Sequence, residues 1–163
     1  MKRFKLLTNV VLIIAILSVG CTSTKEVGIV LDGIDVPDAV LTAAKNRVQI
    51  VFDMDLEEYP DYGYINWRIE SLDYSYTYED LDGMQIVIYQ MNYEFLSESP
   101  ENIILAGGMY ITEDNWVMPN YPNSTFLIFK QEDDSLISLG TVMINDSIPG
   151  EETFTEDIRR IIN

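Results

Sequence analysis

After Pro37 the apolar residues Val40, Leu41, Ala44, Val48, Val51 and Phe52 recur at intervals of three and four, so they line one face of a helix. Lys45, Asn46, Gln49 and Asp53 fall largely on the other side. Pro37 suits the first helical position, where its missing N–H costs nothing, and Asp38 puts negative charge at the favourable end of the helix dipole. The pattern fades near Glu58, and Pro60, Asp61 and Gly63 make a loop. From Tyr64 the period changes to two. Trp67 and Ile69 alternate with Arg68 and Glu70; then Leu72, Tyr74, Tyr76 and Tyr78 alternate with Asp73, Ser75 and Thr77. The apolar set slips by one near Ser71, and a one-residue slip sends side chains to the opposite face, so the pattern predicts a β-bulge or bend at Glu70–Ser71.

Asp82-Gly83 signals a turn into a second long strand, Met84 to Leu96, whose residues Val87, Tyr89, Met91, Tyr93 and Phe95 share a face. The two strands should pair as an antiparallel hairpin. Further on, Ile103 to Thr112 reads as a strand interrupted by Gly107-Gly108, and a turn at Glu113-Asp114-Asn115 leads into Trp116, Val117 and Met118. Thr125 to Gln131 and Leu136 to Asn145 form another hairpin around Glu132-Asp133-Asp134-Ser135. At the end, Thr153 with Glu156 three residues later fits a capping box, and Phe154, Ile158, Ile161 and Ile162 supply the apolar side of a short helix. Before the first helix, Val27 to Val36 is too apolar for a free linker, and Gly28 and Gly33 oppose a long helix; an extended piece packed on the domain is expected.

The fold class expected is therefore α+β: one long N-terminal helix packed on a curved antiparallel sheet, with a short C-terminal helix. In element order this resembles the cystatin-like and nuclear-transport-factor-like folds, in which a curved sheet wraps a long helix. That likeness implies no residue-level function.

The opening of the chain has a different logic. Lys2, Arg3 and Lys5 form a basic head, Val10 to Val19 is an apolar run, and Leu17-Ser18-Val19-Gly20-Cys21 closes it with small residues. The run is about ten residues, whereas a membrane-spanning helix needs about twenty, so the segment reads as a secretory signal. Its end resembles the lipobox of bacterial lipoproteins, with Ser18 standing where that family usually has Leu, Val or Ile and Leu17 one step further out. The resemblance implies cleavage before Cys21, a lipid on the Cys21 thiol, and a domain held on the extracytoplasmic face of the cell membrane. The organisation expected is a signal peptide over 1–20, a lipidated cysteine, tether and extended segment over 21–36, and one domain over 37–163.

Composition narrows the chemistry. The chain carries 27 acidic and 10 basic residues and no histidine. Losing Lys2, Arg3 and Lys5 takes three positive charges from a net charge of −17 and leaves about −20. Such a surface has no basic patch to replace phosphate counterions, which argues against nucleic acid. Cys21 is the sole cysteine, so no internal disulfide forms, and Ser–His, Cys–His and His-based zinc chemistry is excluded. Asp53, Asp55, Glu57, Glu58 and Asp61 cluster at the end of the first helix but match no calcium loop, so neither a metal nor another cofactor is expected.

Tyr74, Tyr76, Tyr78, Tyr89 and Tyr93 are the candidate binding surface, because tyrosine presents a flat apolar body with a polar tip. The plain alternative is cross-strand packing beneath the helix. The expected function is a non-enzymatic interaction module for a protein, peptide or envelope component. The alternatives are a cone-shaped pocket that binds or transforms a small apolar ligand, and an accessory subunit of a membrane complex.

Overall fold

A computed structural model describes residues 27–79, 82–105, 109–118 and 124–144. In chain order the elements are β1 (Ile29–Val30), α1 (Asp38–Glu58), β2 (Tyr64–Glu79), β3 (Gln85–Ser97), β4 (Tyr110–Ile111), β5 (Trp116–Met118), β6 (Ser124–Glu132) and β7 (Ser135–Ile144). Short 3-10 turns at Pro60–Tyr62 and Pro100–Asn102 link the longer pieces. The helix matches the expected span, with Pro37 as its N-cap rather than its first helical residue.

All seven strands form one sheet with β3 at its centre. β2 runs antiparallel along one side of β3. On the other side β6 pairs with the first half of β3, from Ile86 to Met91, and β5 pairs with Phe95 and Leu96 near its end. β7 continues outward from β6, and β4 from β5. Among the described residues of the segment Ile103 to Thr112, Tyr110–Ile111 joins the sheet, while a 3-10 turn precedes Ile103 and Ile103–Leu105 is not strand.

Alternation along β3 sends Val87, Tyr89, Met91, Tyr93 and Phe95 to the face beneath α1. There they meet Val40, Ala44, Val48 and Phe52 from the helix and Leu127 and Phe129 from β6. The opposite face holds a second apolar cluster of Ile86, Ile88, Phe126 and Ile128. Ile86 to Tyr89 of β3 is an unbroken apolar run, because that half of the strand is buried on both faces.

The expected architecture needs two corrections. The helix on a sheet is present, but the described residues are about 50% strand and 25% helical, and the sheet is mixed rather than antiparallel. β1 pairs parallel to β2, with Ile29 opposite Arg68 and Val30 opposite Ile69. The reason is topological: α1 lies between the two strands, and a helical crossover returns the chain in the direction in which it left. The expected C-terminal helix falls on residues 153–163, outside the described residues, which form one helix on a mixed seven-stranded sheet.

Gly28 sets the approach of β1. Its φ is +101°, and a Cβ there would fall 2.4 Å from the Trp67 ring. The bare backbone therefore passes directly over the indole, and its N–H donates to Asn66 Oδ1 at 2.7 Å. Beneath, Trp67 Nε1 donates to Gln49 Oε1 at 2.8 Å, tying β2 to the helix.

The predicted bulge is present: the β2–β3 register shifts between Ile69 and Ser71, leaving Glu70 unmatched. Similar shifts occur at Ile65 and Ser75. On the face away from the helix, Arg68 pairs with Glu94, its Nε donating to Oε2 at 2.6 Å, while its guanidinium lies 4.2 Å from the centre of the Trp116 ring. Glu94 is only 1% exposed. Arg68→Met leaves that carboxylate buried and unpaired, so it should cost about 3 kcal/mol in urea unfolding at neutral pH. The double variant Arg68→Met/Glu94→Leu should recover most of the loss, because no buried charge then remains.

Candidate functional site

The five candidate tyrosines do not form one surface. The bulge at Ser75 separates Tyr74 from Tyr76 and Tyr78: Tyr74 pairs with Tyr89 on the helix face, while Tyr76 and Tyr78 sit opposite Ile88 and Ile86 on the other. There the two rings lie 6.1 Å apart and pack against the second apolar cluster. Tyr93 is buried in the main core against Phe95. Tyr89 is 8% exposed, with its ring edge-on to Tyr74 at 6.0 Å and to Phe129 at 5.9 Å. Only Tyr74 stands out into solvent, at 58% exposure. The proposed five-residue surface is thus corrected to a pair, Tyr74 on Tyr89, because strand alternation resets at every bulge.

That pair borders a cleft of about 420 Å³, between the loop that follows β1 and the bulged middle of β2. Asp32, Gly33, Ile34, Asp35 and Val36 form one wall, and Glu70, Ser71, Leu72 and Asp73 form the other. The bulge at Glu70 shapes this wall by giving β2 one residue more than β3. Partial burial, together with the Glu94 carboxylate, raises the pKa of Glu70, and Arg68 opposes the rise. Burial likewise raises the phenol of Tyr89, with Tyr74 adding to it.

Four carboxylates and two aromatic rims make a cleft that favours a cationic group. An ammonium or guanidinium finds acceptors on both walls and an aromatic face at the mouth. Among the described residues no three acidic groups converge closely enough to hold a metal ion. The cleft was hidden in the sequence because its walls come from segments some forty residues apart. Only the period slip at Glu70–Ser71 marked the place.

A second cluster forms at the end of α1, where Asp55, Glu58, Tyr59, Tyr62 and Tyr64 gather. The Tyr59 hydroxyl donates to Glu58 Oε1 at 2.8 Å, the Tyr59 and Tyr62 rings stack at 5.0 Å, and Tyr62 meets Tyr64 edge-on at 5.9 Å. Tyr64 in turn packs on Phe95 of the core. Burial, and then the Asp55 charge, hold the Tyr64 phenol well above its ordinary range. In the sequence this cluster is marked by the spacing of the three tyrosines around Pro60 and Gly63, next to the acidic run from Asp53 to Asp61. No basic residue occupies the last turn of α1 to offset its acids. Comparison of the chain with known proteins found no matching family model and no significant match among curated sequences or solved structures.

Half-burial, reinforced by the Glu58 charge, raises Asp55 from its ordinary 3.8 to about 6. The folded state then holds this proton more tightly than the unfolded chain does. The resulting stabilisation is complete below about pH 3.8 and is lost as the pH rises through about 6. Asp55→Asn should therefore gain stability relative to wild type as the pH is raised across that window. After allowance for solvent screening of a half-exposed group, the gain should be on the order of 1 kcal/mol in urea unfolding at neutral pH.

Proposed function

We propose that this protein is a lipid-anchored bacterial domain on the extracytoplasmic face of the membrane, and that it works by binding a protein, peptide or envelope component. The observation that carries the binding reading is the cleft between Asp32–Val36 and Glu70–Asp73, with Tyr74 exposed at its mouth. Its chemistry suits an extended partner that offers lysine or arginine side chains or free amines. Tyr74 supplies the aromatic face, Tyr89 holds that ring in place from below, and the carboxylates supply the charge.

The anchor reading rests on the N-terminal segment, whose basic head, apolar run and Cys21 support export followed by acylation. A tether attached at Cys21 leads directly into β1, so the cleft-forming loop lies close along the chain to the attachment point. The second apolar cluster and the buried Tyr93 serve the fold rather than a partner.

Two measurements test this reading. Cys21→Ala should abolish incorporation of labelled palmitate and release the protein from the membrane fraction; unchanged labelling refutes the anchor. In titrations of the full chain with a lysine-rich peptide at low salt, Tyr74→Ala and Asp73→Asn should each weaken binding about threefold to tenfold. Binding should also fall as salt is raised, because the contacts are between exposed charges. Equal affinity in wild type and both variants removes the cleft from the account.

A further inference from the structure

In so acidic a chain each cation has many potential partners. Among the described residues Arg68 pairs with Glu94, Lys130 pairs with Glu132, and Lys45 points to solvent. Arg47 differs. It lies half-buried between α1 and β7, and it forms no ion pair with a described residue. One Nη donates only to the thioether sulfur of Met143, at 3.6 Å, which is a weak acceptor. Its Nε is buried and has no hydrogen-bond acceptor at all. That Nε is closed to solvent, so a ligand in the groove meets the guanidinium through its Nη groups.

A groove of about 570 Å³ opens beside this guanidinium, between α1 and β7. Ala39, Ala43 and Ile50 form its helical wall, and Leu136 gives it apolar surface from β7 over the buried Phe129. Ile50 is 53% exposed, which leaves apolar surface uncovered beside the charge. Asp38 marks the far end, nine residues before Arg47 and so about 13 Å away along the helix.

We propose that this groove binds a free fatty acid, with its carboxylate on Arg47 and its chain along the wall formed by Ala43 and Ala39. The arrangement selects one negative charge joined to an apolar body. Arg47 is the only cation in the groove lining, and Asp38 repels a second anionic group at the other end. The net charge of −17 works in the same direction, since an acidic peptide or other polyanion is repelled at long range while a single carboxylate on an alkyl chain is drawn in by burial of the chain. The site lies apart from the Tyr74 cleft and does not depend on it.

The test uses the full chain in lipid nanodiscs and a dodecanoic acid analogue carrying a photoreactive diazirine, with crosslinked peptides mapped by mass spectrometry. Labelling is expected within residues 38–50 and 136–143. It should be displaced by dodecanoate at least tenfold more effectively than by dodecanol, and it should drop at least tenfold in Arg47→Gln while Arg47→Lys retains most of it. Ala39→Trp, which leaves Arg47 in place and substitutes an exposed position, should also block labelling without lowering the thermal unfolding midpoint. Labelling that is spread over the chain, that is equal in Arg47→Gln, or that is displaced by an acidic peptide and not by dodecanoate overturns the assignment.

Discussion

The register between β2 and β3 is the constraint on which the rest depends. β3 pairs with β2 on one side and with β6 and β5 on the other, and both of its faces are buried. Shifting it by one residue would move Tyr89, Met91 and Phe95 together to the face away from α1 and drive Glu94 into the space beneath the helix. Its register is therefore held by two cores at once: the helix-facing cluster around Phe95, and the opposite cluster around Ile88. The Arg68–Glu94 pair occupies the polar end of that second face. A buried pair of this kind adds little net stability over apolar residues of similar volume, but breaking it is costly.

β2 meets this fixed partner with three extra residues, at Ile65, Glu70 and Ser75. Each bulge reverses which side chains face the helix, and so each sorts residues that look alike in sequence. The bulge at Glu70 lets Trp67 and Ile69 share the helix-facing core with Leu72, although Leu72 is an odd number of residues from Ile69. The bulge at Ser75 splits the tyrosine run between the two faces. The acidic cleft follows from this sorting, because it lies where the bulged part of β2 stands across from the loop between β1 and α1.

Charge is organised as unevenly as packing. Arg68 is committed to Glu94 and to the face of Trp116, whereas Arg47 is held by apolar neighbours and a sulfur atom. At the end of α1, partial burial and then the neighbouring Glu58 charge raise the proton affinity of Asp55. The helix-bearing face of the sheet thus carries two differently charged concavities: a carboxylate-lined cleft beside β2, and a groove between α1 and β7 whose lining holds one cation, Arg47.

Local periodicity decided what depends on nearest neighbours along the chain. The three-and-four spacing from Val40 to Phe52 determined α1 and its buried face; the Asp82-Gly83 and Glu132–Ser135 turns determined the two hairpins; and the slip at Ser71 determined one bulge, because there a polar residue broke an otherwise regular alternation. The bulge at Ser75 left no such trace, since tyrosines stand on both sides of it and either face accepts them. The parallel pairing of β1, the division of the tyrosines and the meeting of Asp32 with Asp73 were decided by tertiary structure alone. Each joins segments separated by a whole helix, and the direction and register of such a pairing are fixed by how the helix packs across the sheet rather than by any spacing within the segments themselves.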